Sequence, residues 1–297
     1  MRPPPKRLGR QEVWAAAGFL AVPLAYFALF HLLPVAINLW VSLHAGLPLI
    51  APGQPFVGLG NFRRLVDDSV FLASLRTSGL FAAGATGGSV VLGLSLALAL
   101  NRNLRLRSLL RAIIVFPYMT SMAIITLIFL VIFNPEIGVL NFLLYRLGLP
   151  AVPWLTSPTM ALVSLIIVSV WWETGFNMVI FLAGLTAIPD EYFEAARIDG
   201  AGALAQFRHV LLPLLAPTTF FVVVFSLIHS FQAFTQPFVL TQGGPAYATN
   251  LVVYHIYQVA FTHLDLGYAS AMALVVFAIV LGATGALFRV WRGAGES

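Results

Sequence analysis

TSGLFAAGATGGSVVLGLSLALAL, residues 77–100, contains no charged side chain. A helix rises about 1.5 Å per residue and the hydrocarbon core of a bilayer is about 30 Å thick, so roughly 20 apolar residues cross it. This stretch meets that requirement, and AIIVFPYMTSMAIITLIFLVIF, residues 112–133, meets it again. The fold class these stretches imply is an all-α integral membrane protein. Composition agrees: 60% of the 297 residues are hydrophobic and 9% are charged, against about 25% charged in an ordinary soluble domain. So few charges cannot cover a water-facing surface, and the apolar excess must face lipid.

Working outward, the chain divides into six expected spans, at residues 13–43, 77–100, 111–133, 159–186, 214–237 and 267–291. Residues 1–12 and 292–297 are expected as tails, with 13–291 as one transmembrane domain. The first span is too long for the core of a signal peptide and is expected to be retained. Lys and Arg set the orientation. Arg2, Lys6, Arg7, Arg10, Arg102, Arg105, Arg107, Arg111, Arg197, Arg208, Arg289 and Arg292 fall at the two ends and in the second and fourth connections, twelve of the sixteen basic residues. Both termini are therefore expected in the cytoplasm. The net charge of +5 follows from these anchors, and no nucleic-acid partner is expected.

Two local features bear on packing. Gly84 and Gly88 form a small-xxx-small face that lets a neighbouring helix approach closely. Pro117 is expected to kink the third span, because it removes a backbone donor and clashes with the preceding turn. The outer connections 44–76, 134–158 and 238–266 are rich in proline and glycine, with an amphipathic stretch from Phe62 to Leu75. No internal repeat is visible, which weakens an inverted-repeat secondary transporter.

The connection between spans four and five, residues 189–213, has the grammar of a short helix, a break and a second short helix. Pro189 suits a first helical turn. Asp190 and Glu191 follow where the helix dipole favours negative charge. Glu194 and Arg197 can pair at three-residue spacing, and Gly200 is placed to stop the helix in a left-handed conformation. A small helix with alanines and carboxylates is shaped to insert into a groove on a partner.

Glu194-Ala195-Ala196, three residues, Gly200, nine residues, Val210, one residue, Leu212-Pro213 resembles the EAA loop of permease subunits in bacterial ATP-binding-cassette importers. FVGLGNF (56–62), LTQGGPAYAT (240–249), IYQVAF and GYASA extend the resemblance over most of the chain, to the carbohydrate branch with maltose-, trehalose- and glycerol-3-phosphate-type systems. Thr235 departs from the aspartate that these relatives often carry after the phenylalanine corresponding to Phe234. The resemblance implies the type I importer permease fold with six transmembrane helices. It implies a bacterial cytoplasmic-membrane location, a second homologous permease, a dimer of ATPase subunits and an extracytoplasmic solute-binding protein. It also implies that Glu194, Ala195, Ala196, Asp199, Gly200, Val210, Leu212 and Pro213 form the coupling helix and its flank, which dock in a cleft of the ATPase. ATP and Mg would then be bound by that partner, with no cofactor in this chain.

For a solute path, Glu173 is the only acidic residue well inside a span, and a carboxylate at that depth must face protein or a water-filled cavity. Trp172 and Asn177 beside it are residue types that bind sugars; Trp171 is its other tryptophan neighbour. In the fifth span His229 and Gln232 fall at three-residue spacing, with Gln236 one turn further. A structural ion pair of Glu173, with His229 or with a group from the second permease, is the alternative; for His229 it is hydrogen-bonded helix packing, and for the tryptophans packing or interfacial anchoring.

Enzyme chemistry has little support. The sequence lacks HExxH, GxSxG and cysteine, and Lys6 is its sole lysine, so a Walker-A phosphate loop is impossible in this chain. The competing functions are a proton-coupled secondary transporter, for which only Glu173 and His229 could form a relay, and a purely structural membrane subunit. Apart from Arg111 and Arg289 at span ends, no Lys or Arg lies inside the expected spans, which favours a neutral sugar or polyol, although FTHLDL (261–266) resembles glycerol-3-phosphate-type permeases.

Overall fold

The computed structural model describes residues 10–46, 54–102 and 105–295. Among them there is no strand, only an isolated bridge between His44 and Phe56. The basic tail residues Arg2, Lys6 and Arg7, the 1–12 tail short of Arg10, the run LPLIAPG and the last two residues lie outside the described part. The chain separates into two compact units, residues up to 67 with 259–275, and residues 68–258 with 276 onward.

In the first unit, α1 (Arg10–Phe27), a π turn (Ala28–Leu32) and α2 (Leu33–Ser42) make the first span. The π turn precedes Pro34, which lacks the N–H that would continue the ladder; Leu33 N–H bonds to Ala28 O instead. From Gly18 to Trp40 the apolar side chains are unburied among the described residues, as a lipid- or subunit-facing helix requires, and Val41 is the first to be buried. The amphipathic stretch expected at 62–75 divides at Asp68, between α3 (Gly60–Asp67) and the start of the next helix. Asn61 Nδ2 donates to Ser42 O at 2.8 Å and His44 O at 2.9 Å, closing the end of α2. Arg64 pairs with Asp265 at 2.7 Å and lies 3.9 Å over the Tyr268 ring. The helix that FVGLGNF opens is thus tied through Arg64 to Tyr268 of GYASA.

The second unit contains α4 (Ser69–Leu100), α5 (Arg107–Met119), α6 (Met122–Ile132), α7 (Val139–Arg146), α8 (Pro158–Thr186), α9 (Glu191–Ile198), α10 (Ala203–Gln206), α11 (Leu212–Leu214), α12 (Ala216–Phe231) and α13 (Val252–Tyr257). The last helix is α14 (Leu266–Gly295). Four helices are long and apolar enough to span, and the bent pairs α5–α6 and α10–α12 supply two more crossings. The second span begins at Ser69, earlier than the sequence reading, because Asp68 Oδ1 accepts from Val70 N and Phe71 N and starts the helix there.

Helix α8 is the hub, and glycine sets its contacts. Gly84 and Gly88 of α4 lie against Ile166 and Val170, as the small-residue face predicted, and Gly93 lies against Asn177. Gly175 meets the backbone of α5 at Ile114 and Val115. Gly184 meets Thr218 and Leu215 at the start of α12.

Two spans are broken, and prolines are close to both breaks. The bend expected at Pro117 falls three residues later: α5 and α6 meet at 98° around Thr120 and Ser121. The helix runs on to Thr120 N, which bonds to Pro117 O at 3.1 Å, and there Thr120 turns extended. The fifth span differs more from expectation. A π turn (Phe207–Leu211) precedes Pro213, the axis bends 66° before Pro217, and α12 ends at Phe231 rather than at 237. Pro217 has no N–H to offer Pro213 O, and Pro237, opening another π turn (Pro237–Thr241), cannot continue the helix from below.

A β-carbon at Gly175 would lie 2.3 Å from Ile114 O, whereas at Gly79 it would meet nothing within 4 Å. Gly175→Ala is expected to destabilise the protein by about 1–3 kcal/mol, and Gly79→Ala to leave stability unchanged or slightly raised. Thermal unfolding of the purified protein in detergent checks this, and equal melting curves for the two variants would contradict the packing described.

Candidate functional site

The 189–213 loop folds as its sequence grammar suggests. Helix α9 ends on Gly200 at φ +80°, with Gly200 N bonded to Arg197 O and Ala201 N to Ala196 O. Only glycine adopts this stop without strain. Pro189 lies just outside the helix rather than in its first turn, with Asp190 at the cap position. Among the described residues Glu194 and Arg197 form no ion pair; Arg197 Nε donates to Phe193 O instead. Glu194, Ala195, Asp199, Gly200 and Pro213 are exposed, while Ala196, Val210 and Leu212 are half-buried. Three large apolar side chains also stand out from this polar loop: Tyr192, Ile198 at 86% and Leu204 at 79% exposure. The sequence reading passed over them, and their signal was isolated apolar residues between charges. Exposed apolar side chains around a glycine-stopped helix are residue types that anchor protein interfaces.

The second constellation is a polar ladder inside the membrane. Ser169, Glu173 and Asn177 follow on one face of α8 at four-residue spacing, and all three are buried. Asn177 Nδ2 donates to Ser226 Oγ of α12 at 3.2 Å. Ser89 Oγ of α4 donates to Glu173 Oε2 at 3.5 Å. Gln236 Nε2 donates to Ser169 Oγ at 3.1 Å. Thr86 of α4 and Ser230 of α12 join their hydroxyls at 3.3 Å. Each rung satisfies a polar group that hydrocarbon could not.

Glu173 is 2% exposed, and among the described residues its Oε1 has no hydrogen-bond partner. It borders a cavity of about 10 Å³ shared with Ser169, Trp172, His229, Ser230 and Gln236, room for roughly one water. No ion pair joins Glu173 to His229 among the described residues. His229 instead stacks on Trp172, with centroids 5.4 Å apart and an interplanar angle of 17°. Trp172 Nε1 donates to Thr120 O at 3.1 Å, so its polar edge holds the α5–α6 break. Trp171 points outward against Phe129. Gln232 ends α12 and is exposed, apart from this cluster, because the helix stops before it. Gln236, expected one turn further along the same helix, lies beyond its end and reaches the cluster through Ser169. Ser89, Ser169, Ser226 and Ser230 were missed; their signal was small hydroxyls at helical spacing in apolar segments. A larger hollow, about 590 Å³, lies along Gly84, Gly88, Pro117 and Trp171, but hydrocarbon walls it almost wholly and it offers little to a polar solute.

The family described as "Binding-protein-dependent transport system inner membrane component" matches residues 89–291. The chain belongs to this permease family. The sn-glycerol-3-phosphate transport system permease protein UgpA of Yersinia pestis bv. Antiqua (strain Antiqua) is 33% identical over 288 residues, 96% of each chain. The trehalose/maltose transport system permease protein MalF of Thermococcus litoralis is 35% identical over 283 residues, 94% of each chain. A solved chain of a bacterial alginate ABC transporter, in complex with an alginate pentasaccharide-bound periplasmic protein, superposes with a TM-score of 0.78 at 22% identity, covering 94% of this chain and 95% of that one. This permease therefore has the type I importer permease fold, with six spans. The family match contains the whole 189–213 loop and every rung of the ladder except Thr86.

Glu173→Gln keeps an acceptor for Ser89 and removes the charge that burial disfavours. The permease is expected to assemble normally with this substitution, while Glu173→Ala, which leaves Ser89 facing a void, is expected to lower stability by about 1–3 kcal/mol. Melting and yield of the purified assembly are the measurements. A Gln variant that failed to assemble would mean that the carboxylate holds a charged partner after all.

Proposed function

We propose that this permease is one of two homologous membrane subunits of an ATP-driven importer, in which the 189–213 loop couples an ATPase to the spans. The observation that carries this is the exposed α9 helix, locked by Gly200 and studded with Tyr192 and Ile198. ATP-driven closure of a partner must push on a rigid seat, or the motion is lost in side-chain slack. The break at Leu215 then passes that push directly into α12, one side of the polar ladder.

On this reading the loop and both termini face the cytoplasm, which the arginine distribution supports. The membrane is the bacterial inner membrane, and an extracytoplasmic binding protein delivers solute to the opposite face. ATP and Mg belong to the ATPase dimer; this chain hydrolyses nothing, in keeping with its single lysine, Lys6. The solute is a sugar or a related polyol or glycerol phosphate, supported by the relatives' named substrates, and Glu173, Trp172, Asn177, His229 and Gln232 are the residues first placed on its path. The ladder geometry favours Glu173, His229 and Gln236 as the cavity-facing members.

Gly200→Val puts a β-branched residue at φ +80°, a strain of about 1–2 kcal/mol, equivalent to a factor of about 5–30 in an equilibrium. The spans are expected to insert normally. Solute uptake in vesicles is expected to fall by that factor or more, and the ATPase to lose its response to loaded binding protein. Wild-type values for both would remove the loop from the coupling path. Orientation has its own test: reporters fused after Ala151 and after Gly202 are expected on opposite faces of the membrane, and same-side labelling would refute the topology.

A further inference from the structure

The connection between α6 and α8 is more tightly built than a loop that merely joins two spans. Asn134 Oδ1 accepts from Glu136 N and Ile137 N, turning the chain as it leaves the membrane. Asn141, buried in the middle of α7, donates to Pro135 O and Val152 O and accepts from Val152 N and Trp154 Nε1. Gly148, at φ +70°, stops the helix, with Leu149 N bonded to Leu144 O. Trp154 in turn stacks on Phe133 at the end of α6. One face of α7 is thereby fixed against the protein.

The opposite face has no cover among the described residues. Val139, Phe142 and Leu143 are exposed there, with Tyr145 at the edge. The one charge on this face is Arg146, whose guanidinium lies 5.3 Å over the Phe142 ring. Among the described residues no carboxylate pairs with it. A rigid helix showing three large apolar side chains and a tyrosine to water would be unfavourable. Its surface is continuous with that of α6, which packs against it and whose Leu127, Ile128 and Val131 point outward in the spanning zone.

We propose that α7 lies in the headgroup layer of the bilayer, its apolar face seated on the upper acyl chains and Arg146 set against lipid phosphate. The residue types fit that depth: an aromatic at the interface, a tyrosine with its hydroxyl toward water, and an arginine whose apolar stem lies along the ring while its charge reaches the headgroups. The clamp at Asn141 makes this a fixed float. It sets the height of the α6–α8 connection in the membrane, against which the broken α5–α6 span can bend.

The chain has no cysteine, so single labels can be placed cleanly. Nitroxides at Phe142→Cys, Leu143→Cys and, as reference, the exposed Ala151→Cys are introduced into the assembled importer in proteoliposomes, without binding protein. Collision with oxygen and with a water-soluble nickel chelate is then measured. The expected result is an oxygen-to-nickel ratio several-fold higher at Phe142 and Leu143 than at Ala151, lowered in both by Arg146→Glu. Repeating it in zwitterionic and in anionic vesicles separates attraction to phosphate, which both supply, from attraction to net headgroup charge. Ratios equal to that at Ala151, or protection from both reagents by a neighbouring subunit or by added binding protein, would overturn the proposal. ATP-driven uptake by the same labelled complexes is read in parallel, so that failure of this placement is distinguishable from failure of the transport function.

Discussion

Hydrocarbon offers no hydrogen bonds, so every backbone group within a span must find its partner in the protein. An unbroken helix does this automatically. A broken one does not, and this permease breaks two of its six spans. At the first break Thr120 N bonds back to Pro117 O, and the Trp172 indole takes the Thr120 carbonyl. The tryptophan expected to stack on a sugar thus has its polar edge committed to structure. Near the second break, the π turn at Phe207–Leu211 supplies a five-residue bond from Leu212 N to Phe207 O before Pro213 interrupts the ladder. The breaks are possible because other groups complete them.

The same demand explains the ladder between α4, α8 and α12. Small hydroxyls and two amides meet in pairs, each satisfying the other, and the helices that carry them are brought close by Gly84, Gly88, Gly93 and Gly184. Glycine removes the bulk that would hold the backbones apart, and the short polar side chains then reach. Glu173 is the exception, since one of its oxygens is left with a cavity of about 10 Å³ instead of a partner. In a structure that satisfies its other rungs, that imbalance is what supports the proposal of Glu173 on the solute path.

Outside the membrane the protein solves a different problem, holding short helices rigid without a core beneath them. Helices α7 and α9, of eight residues each, use the same ending: a left-handed glycine, Gly148 or Gly200, and a bond that folds the next residue back on the last turn. Yet they present opposite surfaces. α9 carries carboxylates with a few apolar anchors, suited to a protein cleft. α7 carries an apolar face and one arginine, suited to a lipid surface.

The sequence by itself determined the fold class, the number of spans and the helix–break–helix form of the 189–213 loop. Those follow from local quantities: run length against bilayer thickness, charge placement, and the need for glycine where φ is positive, as at Gly200. Tertiary structure decided which polar residues meet. Periodicity put Glu173 and Asn177 on one face of α8, but nothing local could pair them with Ser89 and Ser226, because those partners depend on which helices the glycines allow to touch. Helical spacing also joined His229 to Gln232, and the structure separated them, because α12 stops at Phe231. A span's interior is fixed by its own composition; its end, and the neighbour each side chain meets there, depend on contacts from elsewhere in the chain.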